Sequence, residues 1–159
     1  MKKRMLSLES KKIPRKSDTE TVKKNREKGI SAEYLVARKY GLHRIKGSGS
    51  GRAKGDFTHP IYRIQHKLVC NSSQTFYLTE KLLLKVISDT VADRLPALIV
   101  SFKTDELAFI PCTERGRNIV YLNKNRKIID KTNLNMYYRI SHKEFPLWKS
   151  ITVYEMLKD

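Results

Sequence analysis

The segment GDFTHPIYRIQHKLV, residues 55–69, decides how the rest of the chain is read. From Ile61 to Val69, Tyr62, Ile64, His66 and Leu68 alternate with Arg63, Gln65, Lys67 and Val69. A period of two sends successive side chains to opposite faces, so this stretch is predicted to be a β-strand with Gln65 and Lys67 projecting together. Pro60 stands just ahead of the strand, where a missing amide does least harm. Thr58-His59-Pro60 predicts a tight connection that delivers Asp56 from a preceding strand or turn.

Upstream lies GSGSGRAKGD, where four of the chain's seven glycines fall between Gly47 and Gly55. It reads either as a flexible surface loop or as a phosphate-approaching loop, with Ser48, Ser50, Arg52 and Lys54 supplying hydroxyls and charge. The second reading is preferred because of the strand that follows. The pattern GxxxxGK[ST] of a Walker loop does not occur. A short candidate strand, LHRIK, ending at Lys46, precedes the loop. Before that, a helix is expected from Ser17 to about Tyr40. Ser17-Asp18-Thr19-Glu20 reads as its capping box, Gly29 weakens its middle, and Gly41 suits its exit. Ile30, Tyr34 and Ala37 share one face and are expected to be buried, with Glu33 on the flank. Residues 1–16 read as a mobile basic arm.

Downstream, NSSQT breaks the chain before a helix expected from Leu78 to Leu95. Thr79 would cap it, Leu83, Val86, Ile87, Val91 and Leu95 would form its apolar stripe, and Pro96 would stop it. ALIVSF reads as a strand buried on both faces, and KTDE turns into the strand LAFIP. Beyond residue 112, NIVYLN, MYYRIS and ITVYEM look strand-like, and Ser141-x-x-Glu144 offers a second capping box. The expected fold class is α/β, a mixed central β-sheet flanked by helices. Phe76 and Tyr77 read either as core or as base-stacking residues, core first.

The chain has 159 residues, 40% of them hydrophobic, enough for one domain with a real core. Lysine and arginine number 33 against 16 acids, a net charge of +17 that points to a polyanion, nucleic acid ahead of an anionic membrane. No apolar run is long enough for a membrane span and no apolar signal core follows Met1–Arg4, so a cytoplasmic protein is expected. Cys70 and Cys112 lack metal-site spacing and read as reduced packing residues. His43, His59, His66 and His142 show no zinc or nuclease spacing.

Hydrolysing a phosphodiester with a bound Mg²⁺ needs oxygen ligands for the ion and a group that steers water. Asp56, then Gln65 nine positions on, then Lys67 two further, supply both on a hairpin. Taken singly, each has a plain reading: Asp56 after glycine as a turn former, Lys67 as one lysine among many, Glu33 as a helix-surface acid. The order KGISAEYLVARKYGL, KGSGSGRAKGDF, YRIQHKLV, then a helix and LPALIVSF, resembles the PD-(D/E)xK nuclease superfamily over roughly residues 28–111. The resemblance is greatest to its archaeal and phage-type Holliday-junction resolvases. It implies a restriction-endonuclease-like core, taken as 17–112; residues 113–159 lie outside the resemblance and are expected to form a C-terminal extension of the same domain. It also implies Glu33, Asp56, Gln65, Lys67 and Ser48 as catalytic residues, the first three around Mg²⁺ or Mn²⁺. Ser50, Arg52, Lys54, Arg63 and Lys46 would contact DNA. The partner would be a four-way junction, and the enzyme a homodimer. Gln65 departs from the family's glutamate, which leaves a natural QxK site or a disabled one. The rival readings are a nuclease of this fold acting on linear duplex and a non-catalytic basic DNA-binding protein.

Overall fold

The computed structural model describes residues 16–46, 55–113 and 118–158, with the side chains of 16–19 left aside. The chain opens with α1 (Lys16–Tyr40), then β1 (His43–Arg44), β2 (Phe57–Thr58) and β3 (Tyr62–Leu68). β4 (Phe76–Leu78) and α2 (Glu80–Ser88) lead to β5 (Leu95–Ser101) and β6 (Glu106–Pro111). The last third holds β7 (Ile119–Tyr121), β8 (Lys127–Ile129), β9 (Tyr137–Arg139), β10 (Leu147–Thr152) and α3 (Val153–Leu157). Eight strands form one mixed sheet in the order β1-β2-β3-β5-β6-β10-β9-β7, while β4 and β8 make a separate two-stranded ribbon.

β3 and β5 run parallel, with Tyr62 opposite Leu95 and Leu68 opposite Ser101. A parallel pair needs a crossover, and β4 with α2 provides it. β10 pairs antiparallel with β6, so the last third widens the same sheet. The two sheet faces carry separate cores. Val36 of α1 and Val153 and Met156 of α3 pack with Phe57, Tyr62, Ile64, Ala97, Ile99 and Ala108 on one. Leu83 and Val86 of α2 pack with Leu98, Val100, Phe109, Tyr138 and Trp148 on the other. β5 is buried from Pro96 to Ser101, as a strand covered on both faces requires.

Several local expectations are corrected. Ile30 and Tyr34 are 40% and 60% exposed, and the buried residue of α1 is Val36 at 3%. Tyr34 instead lies under the Arg44 guanidinium, 3.8 Å from ring centre to Cζ. Glu33, Val36, Ala37 and Tyr40 therefore share the inward face, at i, i+3, i+4 and i+7. α2 is capped by Thr79, whose hydroxyl accepts from the Leu82 amide at 3.2 Å, but it ends at Ser88, not Leu95. Thr90 returns its hydroxyl to the Val86 carbonyl at 2.7 Å, a side-chain bond that competes with further helix. Val91, at 46%, is exposed, and Leu95 opens β5.

Pro96 thus lies inside a strand. The Leu95 amide donates to the Ile61 carbonyl at 2.8 Å, so the next amide position faces the β6 side, and the β6 pairing begins only at Leu98. A residue without an N–H costs nothing there. Ser141-x-x-Glu144 caps no helix; the Ser141 amide donates to Glu80 at 2.6 Å. The capping box near the C-terminus is Thr152 with Glu155, which turns VYEML into α3 in place of the expected strand. Cys70 is exposed and Cys112 half-buried, both free thiols, so Cys70 packs nothing. Among the described residues no helix is long and apolar enough to cross a membrane. Residues 1–15 of the expected arm lie outside the described residues.

Candidate active site on the β2–β3 hairpin

The hairpin turn is fixed from several sides. The His59 amide donates to the Tyr62 carbonyl at 3.0 Å, and the His59 ring stacks on Tyr62. Arg94, from the segment entering β5, donates to the Thr58 hydroxyl at 2.9 Å and to the His59 carbonyl. Phe57 lies opposite Ile64 and Thr58 opposite Arg63. One step back along this register sets Asp56 against Gln65.

Asp56 holds the end of the ladder with backbone and side chain together. Its amide donates to the Ile64 carbonyl at 2.8 Å, and its own carbonyl accepts from the Ile45 amide at 2.9 Å. Its Oδ2 accepts from the His66 amide at 2.7 Å. The carboxylate is thereby kept near the plane of the sheet, beside β3. Gly55 makes the approach possible: its φ is +90°, and a Cβ there would stand 3.1 Å from Arg63 Nε. Only glycine takes that backbone without strain beneath the Arg63 side chain.

β3 divides its side chains by parity. Tyr62, Ile64 and His66 are buried toward α1, while Arg63 and Gln65 are half-buried and Lys67 is exposed on the other face. Asp56, Gln65 and Lys67 are the sequence-expected residues that this geometry gathers. Glu33 is placed differently. Its Oε2 accepts from Arg44 Nη2 at 2.9 Å on the α1 side, and that bond raises the Arg44 pKa further. Lys46 is exposed at the end of the described segment, and Ser48, Ser50, Arg52 and Lys54 lie outside the described residues.

The donor chemistry of Asp56 and Gln65, a carboxylate and an amide oxygen, suits a hard divalent cation. Among the described residues no three His, Cys, Asp or Glu side chains form a metal-ligating cluster. Asp56 would therefore carry the negative charge of such a site with the Gln65 oxygen beside it.

Sequence reasoning missed a polar cluster behind β3. His66 is 6% exposed and its Nε2 lies 2.9 Å from Ser101 Oγ. Burial lowers the His66 pKa to about 4, so the ring is neutral at pH 7. Glu106, in register with Ser101, accepts from Lys39 Nζ and Tyr40 Oη, each at 2.7 Å. Burial, then the bond to Glu106, pushes the Tyr40 phenol up to about 12. No spacing in the sequence marks these residues, since they come from α1, β3, β5 and β6. No protein-family model, curated protein or solved structure matches the chain.

Proposed function

We propose that this protein is a structure-selective, divalent-metal-dependent endodeoxyribonuclease that binds and resolves four-way DNA junctions, working as a homodimer. The observation that carries this reading is the pairing of Asp56 with Gln65 at the ladder end, with Lys67 on the same face as Gln65. The order helix, hairpin, helix, strand in α1, β2–β3, α2 and β5 supports a restriction-endonuclease-like core. The charge of +17 supports a polyanionic substrate held through its phosphates, with strong dependence on salt.

In this reading Asp56 and Gln65 would hold Mg²⁺ or Mn²⁺, which when bound supplies charge stabilisation and an activated water. Lys67, exposed on the adjoining position, steers the attacking water or stabilises charge on the phosphate. Arg63 lies over Gly55 and so borders the end of the glycine-rich loop, whose Ser48, Ser50, Arg52 and Lys54 would meet the backbone of the DNA. Glu33 fits this scheme as a residue that anchors Arg44 and β1 to α1, a positioning part distinct from metal ligation. Junction choice would rest on DNA shape, with little reading of bases. A two-fold enzyme suits a four-way junction because paired incisions need two sites in fixed relation.

The test is cleavage of an end-labelled four-way junction beside a matched linear duplex, with and without Mg²⁺ or Mn²⁺. Metal-dependent incision confined to the junction is the expected result. Equal cutting of the duplex moves the reading to a general nuclease of this fold, and binding with no incision in the parent and in Gln65→Glu leaves a DNA-binding protein.

A further inference from the structure

The β4–β8 ribbon stands apart from the hairpin and is unused by the scheme above. Phe76 lies opposite Ile129, and Tyr77 opposite Ile128. By alternation Phe76, Leu78 and Ile129 face the core, while Tyr77 and Ile128 face outward, 45% and 55% exposed. The core-or-stacking ambiguity of this dipeptide is thus divided between its two members.

Tyr77 carries a cation. The Arg126 guanidinium carbon lies 4.6 Å from its ring centre. Beside the pair, the 123–126 turn and the start of α2 enclose an open cleft of about 560 Å³, lined among others by Lys81, Asn123, Lys124, Asn125 and Arg126. The one acid on its wall, Glu80, has Oε1 accepting from the Ser141 amide at 2.6 Å. Among the described residues Lys81, Lys124 and Arg126 take part in no ion pair. Tyr121 of the edge strand β7, 60% exposed, immediately precedes Leu122 on the cleft wall.

We infer that this outer face is a subsite for an unpaired DNA strand: one nucleobase stacks on the Tyr77–Arg126 pair while its neighbouring phosphates lie on Lys124 and Lys81. An aromatic ring and a guanidinium plane each offer a stacking surface to any base. In a duplex the bases are already stacked on one another, so a single exposed platform serves a base outside the stack. Lys81 and Lys124, with the side-chain amides of Asn123 and Asn125 on the same cleft wall, complement a phosphate backbone rather than an acyl-chain surface. This subsite rests on the reading of the protein as a DNA-acting enzyme, to which it adds a hold on the unstacked nucleotides of a branch point.

The experiment measures fluorescence anisotropy of the full chain with labelled twelve-residue oligo(dT), a matched blunt duplex, a four-way junction and anionic phospholipid vesicles. Tyr77→Ala is expected to weaken oligo(dT) binding about tenfold, while duplex affinity stays within about twofold. Tyr77→Phe, which keeps the ring, should bind as the parent does. Lys81→Ala and Lys124→Ala should each lower the slope of log affinity against log salt by about 0.7. Circular dichroism and melting temperature on each variant separate lost binding from lost folding, and Arg126→Ala, in a turn, stands in should Tyr77→Ala misfold. Unchanged oligo(dT) affinity in folded Tyr77→Ala, or an equal loss on duplex, overturns the subsite and leaves junction cleavage standing. Binding of vesicles but not oligo(dT) through Tyr77 also overturns it. Oligo(dT) binding through Tyr77 in a parent that never cuts junctions keeps the subsite and removes the nuclease.

Discussion

The two faces of β3 differ in nothing but parity. Tyr62, Ile64 and His66 sink into the core under α1, whereas Arg63, Gln65 and Lys67 stay half-buried or exposed. One strand of seven residues therefore closes the core with one face and leaves polar side chains open on the other, and a period of two is what allows it. The backbone of β3 holds Asp56 in place, because the Ile64 carbonyl and the His66 amide are its partners. The open face supplies the groups that would act on a phosphate. Substitutions on the buried face should cost stability, and substitutions on the open face should cost chemistry.

The largest effect is expected on the open face. Lys67→Ala and Asp56→Asn should lower junction incision by about two to three orders of magnitude, the scale seen when one transition-state stabiliser is removed. Junction affinity should stay within a few-fold, and Lys67→Ala should melt within about 0.5 kcal/mol of the parent. Single-turnover cleavage with anisotropy on the same samples checks this. If both variants cut at the parental rate, the two faces are not divided as argued.

Ile64→Ala is the matching test of the buried face. Ile64 is wholly inaccessible, and truncating such a residue costs about 2–5 kcal/mol. Urea denaturation should show the loss as a lower midpoint with an unchanged slope, and incision by the folded fraction should persist.

His66 gives the buried face a pH signature. Its pKa is near 6.5 when unfolded and lowered to about 4 when folded, so the unfolded chain binds the proton more readily. The stability contributed is fully present above about pH 6.5 and is lost as pH falls toward 4, at most about 3 kcal/mol. His66→Gln should flatten the stability–pH profile across that window relative to the parent. A parallel profile in the two proteins would mean that the ring titrates normally.

The smallest effect sharpens the open face. Gln65→Glu adds one unit of negative charge beside Asp56 and should tighten Mg²⁺ or Mn²⁺ binding by roughly tenfold, measured calorimetrically. Cleavage should rise with it, strongly if the glutamine disables the site. Identical metal affinities would remove position 65 from the site.

What was legible in the sequence was whatever a short window contains. The alternation of β3, the unbroken apolar run of β5, the Thr79 cap and the Gly41 exit, with φ +65°, are each fixed by neighbours in sequence. Their physics is local: side-chain parity, a hydroxyl on a free amide, a residue with no Cβ. The same holds for the charge of +17, from which a polyanionic partner is expected wherever the lysines lie. The pairing of Asp56 with Gln65 was half legible, since the spacing implied a hairpin but not its register.

What tertiary structure alone decided was every case in which a residue had two locally acceptable fates. Pro96 could stop a helix or enter a strand, and the late start of the β6 pairing chose the strand. Glu33 had no partner legible in its own helix, and Arg44 on β1 came to lie 2.9 Å from its carboxylate. Tyr77 and Phe76 were equivalent by composition until pairing with β8 turned one outward and the other to the core. His66 became a buried neutral ring because the sheet closed over it, with Ser101, thirty-five positions on, 2.9 Å away in the parallel pair. Periodicity says which face a side chain takes, but only long-range pairing says what that face meets, because the partners are distant in sequence and converge only when the sheet closes.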